Sequence, residues 1–277
     1  MKVGFFDVGV CSWSLRPADS GELIGKLRRL GLHHLQLALG PLLELDSDAR
    51  AAQIEALDRA EIKITASMIN FVGEDYSKIS NIRRTGGLVP DALWPVRRQR
   101  AIDAARLSQQ IGVRQMSTHV GFIPPSNNDA YGTLVERLSE LGEQLGEFGV
   151  DLLMETGQES ATDLLHFIHD LTVPNVGVNF DPANMILYGS GDPIDAMKIL
   201  AKHIQHVHVK DAKRSSQPGI EWGTEVAFGD GEVPHSEFVD TLHHIGYAGP
   251  LVIERESSQC RLDDIAYAIE TLEESVD

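Results

Sequence analysis

Residues 151–155 read Asp-Leu-Leu-Met-Glu, residues 176–184 read Val-Gly-Val-Asn-Phe-Asp-Pro-Ala-Asn, and residues 204–211 read Ile-Gln-His-Val-His-Val-Lys-Asp. Each is a short apolar or β-branched run that closes on a polar, metal-competent side chain. The stretches between them, 161–171 and 193–202, carry helical patterns. Strand, helix, strand, helix, strand with short turns is the pattern of βα units around a parallel sheet. Further strands are predicted upstream at Val8 to Trp13, His34 to Leu39, Ile62 to Ile69 and Arg114 to His119, and downstream at Leu251 to Glu254. That makes eight, the number that closes a barrel, so the expected fold is α/β, a single (β/α)8 TIM barrel.

The predicted helices lie near Ser20 to Leu30, Asp48 to Ala60, Trp94 to Ile111, Ala130 to Phe148, Ala161 to Leu171, Pro193 to Lys202, His235 to Ile245 and Leu262 to Glu274. Asp192-Pro193 has the form of an N-cap followed by proline in the first turn, and Gly31, Gly112, Gly149 and Gly246 stand where helices should end. No low-complexity run or composition break marks a linker, so residues 1–277 are expected to form one domain. Two connections exceed what a barrel needs, Phe71 to Leu93 and Asp211 to Pro234. Both follow strand ends, where barrels place active sites, and are candidate lids.

The 277 residues are 42% hydrophobic and 23% charged, ordinary for a globular chain. With 24 Lys and Arg against 41 Asp and Glu the formal net charge is −17, so the average surface repels nucleic-acid backbones and anionic lipids. Nucleic acid and membrane are therefore not expected partners. Two cysteines, Cys11 and Cys260, offer neither a disulfide framework nor metal-type spacing. With an acid at Asp7 and no long apolar run, the expected location is the cytoplasm. A homo-oligomer would be consistent with apolar helices outside a barrel.

The last four predicted strands finish on Glu155, Asp181, His208 and Glu254. A carboxylate directly after Leu152-Leu153-Met154 or Leu251-Val252-Ile253 is costly unless a cation or hydrogen bonds compensate it. Any one of them could be a strand-end residue in a salt bridge or turn. Four on successive strands converge on one point, and three carboxylates with one imidazole suit one divalent metal ion: Mn2+ first, with Mg2+, Co2+ or Zn2+ compatible. His206 shares the face of His208 and is read as a packed structural histidine. His119 ends strand four beside the metal strands and is a candidate for substrate binding or proton relay. Lys210 shares the His208 face and could neutralise an anionic intermediate, whereas Asp211 is read as a cap or ion-pair partner. Trp13, Trp94 and Trp222 could stack on a sugar ring, but packing is the commoner role.

The ordered Glu, Asp, His and Glu, the segment NFDPAN, HVHVKD and GYAGPLVIERE together resemble the xylose isomerase-like TIM barrel superfamily, which holds sugar phosphate isomerases and epimerases, tagatose 3-epimerase-type enzymes and inosose dehydratases. The resemblance runs over nearly the whole chain. It implies that Glu155, Asp181, His208 and Glu254 hold a divalent ion that chelates a substrate carbonyl and hydroxyl, and that Glu155 and Glu254 act as catalytic acid and base on opposite faces of the reacting carbon. It also places Arg214, six residues beyond His208, as a substrate contact. Two positions depart from the ketose 3-epimerases: Asn184 stands where they carry a histidine, and Ala161 where they carry a glutamate. Asn184 could still bind a sugar hydroxyl, while Glu159 would have to serve from a shifted position. The departures point away from a simple free ketohexose held in the same way.

The leading expectation is thus a metal-dependent isomerase or epimerase of a small keto-sugar or polyol, working through a metal-stabilised enediolate. The alternative is a lyase or dehydratase acting on an inosose or 3-keto-glycoside. An AP endonuclease-like repair enzyme is disfavoured by the charge and by Asn184, and a non-catalytic sugar-binding barrel would bind metal without exchanging α-protons.

Overall fold

The computed structural model describes residues 1–276. The eight barrel strands are β1 (Phe6–Cys11), β2 (His34–Ala38), β3 (Lys63–Met68), β4 (Gln115–Thr118), β5 (Asp151–Glu155), β6 (Val176–Phe180), β7 (Ile204–Val209) and β8 (Leu251–Ile253). Each pairs in parallel with the next, and β8 closes onto β1 with Leu251, Val252 and Ile253 opposite Val8, Gly9 and Val10. A short strand, Lys2–Val3, folds back antiparallel on β1.

The outer ring is α1 (Ser20–Leu30), α2 (Ser47–Arg59), α3 (Trp94–Gln110), α4 (Asp129–Glu147), α5 (Ala161–Asp170), α6 (Pro193–Leu200), α7 (His235–His244) and α8 (Arg261–Glu274). The helices lay Leu27, Leu57, Leu138, Phe167, Leu200, Leu242 and Leu272 against the strands, all essentially inaccessible to solvent. Burying one such side chain contributes about 1.5–3 kcal/mol, so this layer is the main source of stability. The expected caps form: Asp192 accepts from the N–H groups of Ile194 and Asp195, and Gly31 ends α1 at φ 67°.

The predicted eight-strand barrel is present, with differences at the strand ends. β1 spans Phe6–Cys11 rather than Val8 to Trp13, because Ser12–Leu15 winds into a 3-10 turn that lifts Trp13 over the cavity. His119, Asp181, Lys210 and Glu254 lie just beyond their strands, where the chain leaves the ladder. The two long connections are partly ordered into secondary structure. The first contains a helix at Ile79–Thr85 and a 3-10 turn at Asp91–Leu93; in the second, Thr224–Val226 pairs antiparallel with Asp211–Lys213. Two short helices, Gly40–Leu43 and Pro182–Tyr188, also follow strand ends on this face. No described helix is long and apolar enough to cross a membrane.

Candidate metal centre and active site

β5, β6, β7 and β8 bring Glu155, Asp181, His208 and Glu254 together at the carboxyl end of the barrel, with ligand atoms of all four within 4.8 Å of one another. All four are buried, and Asp181 and His208 are wholly inaccessible. His208 Nδ1 sits at the centre, 3.5 Å from Glu155 Oε1, Asp181 Oδ2 and Glu254 Oε2. Asp181 also caps the helix Pro182–Tyr188: its Oδ1 accepts from Asn184 N at 2.9 Å, which leaves Oδ2 for the centre.

Two buried atoms there, Asp181 Oδ2 and His208 Nδ1, have no hydrogen-bond partner, and neither has Glu155 Oε2, which faces His119. Buried polar atoms are rarely left unsatisfied, and orphaned acceptors beside an imidazole nitrogen are what a cation site presents. Three carboxylates and a nitrogen are a donor set for a hard or borderline divalent ion, so the residues present fit the group that the sequence suggests. His208 and Lys210 offset part of the charge of the three carboxylates. Burial works against the His208 imidazolium, but Glu254 and Glu155 outweigh it and hold its pKa well above the usual value. Burial also raises the Asp181 carboxyl, the expected response of a carboxylate crowded by others.

The two glutamates are not equivalent. Glu254 is engaged at both oxygens: Trp13 Nε1 donates to Oε1 at 2.6 Å, and Lys210 Nζ donates to Oε2 at 2.6 Å. Burial opposes ionisation of Glu254, yet Lys210 and His208 hold its carboxyl well below the ordinary range. Glu155 receives one hydrogen bond, from Asn184 Nδ2 to Oε1 at 2.9 Å, while Oε2 faces His119 Nε2 at 3.7 Å. Lys210 also reaches Glu256 Oε2 at 2.8 Å and Asn184 Oδ1 at 3.4 Å. Burial would discharge this ammonium, but Glu254, Glu256 and Asp181 hold it charged.

A cavity of about 740 Å³ opens above the centre. Trp13, Tyr76, Tyr188 and Trp222 line it with His119, Asn184 and Lys210, and Glu74, Glu225, Glu254 and Glu256 add carboxylates. Trp222 Nε1 donates to Tyr76 O at 3.0 Å, joining the two long connections across the mouth. Of the expected substrate contacts, His119, Asn184 and Lys210 therefore meet at the site and Arg214 does not. Arg214 is half-exposed on the outer surface, where its N–H donates to Glu232 and its guanidinium pairs with the same carboxylate at 3.8 Å. Glu159 is also turned away: its Oε1 accepts from Ile123 N at 2.9 Å. His206 packs in the barrel interior with its Nδ1 2.8 Å from Asn179 Oδ1, and Asp211 gathers the N–H groups of Ala212, Gly229, Gly231 and Val233, a capping role.

Two residues of the site escaped sequence reasoning in their roles, Trp13 as the donor to Glu254 and Glu256 as a partner of Lys210. Glu256 is two residues beyond Glu254 on the same side of the chain, a spacing that could have flagged it.

The chain belongs to the xylose isomerase-like TIM barrel family, whose model matches residues 24–275. Among solved structures, a xylose isomerase domain protein from Planctomyces limnophilus superposes with a TM-score of 0.89 at 33% identity, covering 98% of this chain and 96% of that one. Similar proteins of known name include the rhizopine catabolism protein MocC of Rhizobium meliloti, 29% identical over 176 residues, 57% of this chain and 51% of that protein. Inosose dehydratase of Clostridium perfringens is 26% identical over 158 residues, 52% of this chain and 53% of that protein. The matches thus span about half the length of these curated relatives.

Proposed function

We propose that this protein is a divalent-metal-dependent enzyme that removes a proton beside the carbonyl of an uncharged keto-polyol and completes the reaction by elimination, as a dehydratase or related lyase. The observation that carries this reading is the inequivalence of Glu155 and Glu254. A divalent ion held by Glu155, Asp181, His208 and Glu254, Mn2+ first and Mg2+, Co2+ or Zn2+ compatible, would supply Lewis acidity that makes the α-hydrogen removable. Glu155 Oε2, without a hydrogen bond, is placed to take that proton. The Lys210 ammonium, anchored by Glu254 and Glu256, is placed to protonate a β-hydroxyl as its C–O bond breaks, so that water leaves and a C=C bond forms. His119 lies beside Glu155 and can pass its proton onward. The similarity to inosose dehydratase is in keeping with this outcome.

The cavity's carboxylates outnumber its one lining lysine, which supports an uncharged polyol over a phosphorylated sugar. Aromatic faces at Trp13, Tyr76, Tyr188 and Trp222 suit the C–H surface of a ring. The reading takes residues 1–277 as one barrel domain that carries the whole site.

A second reading, isomerisation or epimerisation, rests on Glu155 and Glu254 being two carboxylates at one centre. It requires Glu254 to return a proton to the opposite face, and both of its oxygens are held by Trp13 and Lys210. The two readings part in one experiment with metal-loaded protein, inososes, 3-keto-glycosides and ketohexoses in D₂O. Elimination gives an unsaturated product or a released aglycone. Glu155→Gln should lower turnover at least about 100-fold, while Glu254→Gln should keep measurable α-proton exchange. Deuterium-labelled epimer without unsaturated product, and equal loss in both variants, would establish the second reading instead. Asp181→Asn and His208→Ala, assayed by elemental analysis, should lose bound metal; full occupancy in both would remove the metal centre from either reading.

A further inference from the structure

Beneath the metal centre the barrel interior is unusually polar. Cys11, Gln36, Ser117, Asn179 and His206 are all fully inaccessible there, directly under His208. These groups form a hydrogen-bonded chain whose directions can be worked out from two neighbours of Ser117 Oγ that can only accept, the backbone carbonyl of Ser67 and the sulfur of Met68. Ser117 Oγ lies 3.2 Å from Ser67 O and 3.0 Å from Met68 Sδ, and its one hydrogen goes to one of these two acceptors. Its lone pairs then accept from Gln36 Nε2 at 2.7 Å, which sets the amide so that Gln36 Oε1 faces His208. Gln36 Oε1 stands 2.6 Å from His208 Nε2. Two acceptors do not approach that closely, so Nε2 carries the proton.

We propose that Gln36 is a positioning residue that fixes His208 with its proton on Nε2, so that the lone pair of Nδ1 is the one presented to the ion among Glu155, Asp181 and Glu254. A histidine bound through one nitrogen donates from the other, and that outer bond fixes both the tautomer and the ring plane. Here the outer bond runs across the barrel to β2, three strands round from β7, through a side chain that does not line the cavity. Cys11 Sγ, 3.4 Å from the same oxygen, donates weakly to it. A competing group is present. Asn179 Nδ2 lies 3.2 Å from His208 Nε2 and would favour the other tautomer, but the contact with Gln36 is the shorter by 0.6 Å.

The inference rests on the metal reading above, and its test separates the two. Metal affinity is measured by calorimetry with Mn2+ in wild type, Gln36→Leu and Gln36→Glu, alongside circular dichroism and melting curves. Leu removes the acceptor at similar volume, and the expected result is affinity about 10- to 100-fold weaker. Glu restores the acceptor and should restore binding. In wild type, long-range ¹H–¹⁵N correlation of the Mg2+- or Zn2+-loaded protein should show His208 protonated at Nε2. A folded Gln36→Leu protein with wild-type affinity, or a wild-type His208 protonated at Nδ1, would overturn the proposal. The spectrum of the wild type decides the matter if Gln36→Leu fails to fold. Absence of divalent binding by wild type would overturn the metal reading, and the role of Gln36 with it.

Discussion

The value of a side chain in this barrel depends on what its second functional atom does. Asp181 spends one oxygen on a helix cap and keeps one for the centre; Asn184 gives its nitrogen to Glu155 and its oxygen to Lys210. Glu159 shows the opposite situation. Burial pushes its carboxyl up to about 8, against which the N–H of Ile123 is the main compensation. A raised acid pKa means that the folded state binds more protons than the unfolded chain between the ordinary carboxyl value and about 8, so stability falls as pH rises through that window. Glu159→Gln keeps the acceptor for Ile123 and removes the charge. Its melting temperature should therefore drop by several degrees less than that of wild type between pH 5 and pH 8; identical drops would show that Glu159 ionises freely. At this scale the four central residues were legible, because a charged side chain after an apolar strand is conspicuous in one dimension. Gln36 and Trp13 were not, because their partners, His208 and Glu254, lie 172 and 241 residues away and only closure of the barrel brings them together.

Elements were readable in their interiors and unreadable at their ends. Period-two runs and helical spacing located the eight strands and eight main helices, but the short helix Pro182–Tyr188 escaped them although Asp181-Pro182 is a local N-cap signal, and the hairpin after β7 depends on the carboxylate of Asp211 reaching Gly229 and Gly231. The connection after β3 is held in the same manner. Gly87, at φ 63°, donates to Glu74 Oε1 at 2.8 Å and passes so close to the Val120 carbonyl that a side chain would collide with backbone; Leu88 N then bonds Val120 O at 2.6 Å. Gly87→Ala should cost about 2–4 kcal/mol, because both the conformation and the space exclude a Cβ. Denaturant titration would check this. A change within about 0.5 kcal/mol would mean that the connection packs elsewhere, and would uncouple it from the position of Tyr76 over the cavity.

For the molecule as a whole, the centre is a concentration of like charge that the fold holds closed. An ion binding only the folded state adds stability by mass action, about 2.7 kcal/mol at 100 times its Kd. For a chain of this size that corresponds to a rise of about 5 °C or more in melting temperature, reversed by a chelator; an unchanged melting curve at saturating Mn2+ would argue against a resident ion. The polar, sealed floor under His208 bears on traffic as well as on stability. With Cys11, Gln36, Ser117, Asn179 and His206 all closed to solvent, the opening to the centre among the described residues is the cavity lined by Trp13, Tyr76 and Trp222. A bulky chelator cannot seize the ion from behind and must wait for it to depart. Stripping the protein should then proceed at a rate that levels off as chelator is added, so the clock that governs metal exchange belongs to the doorway rather than to the scavenger.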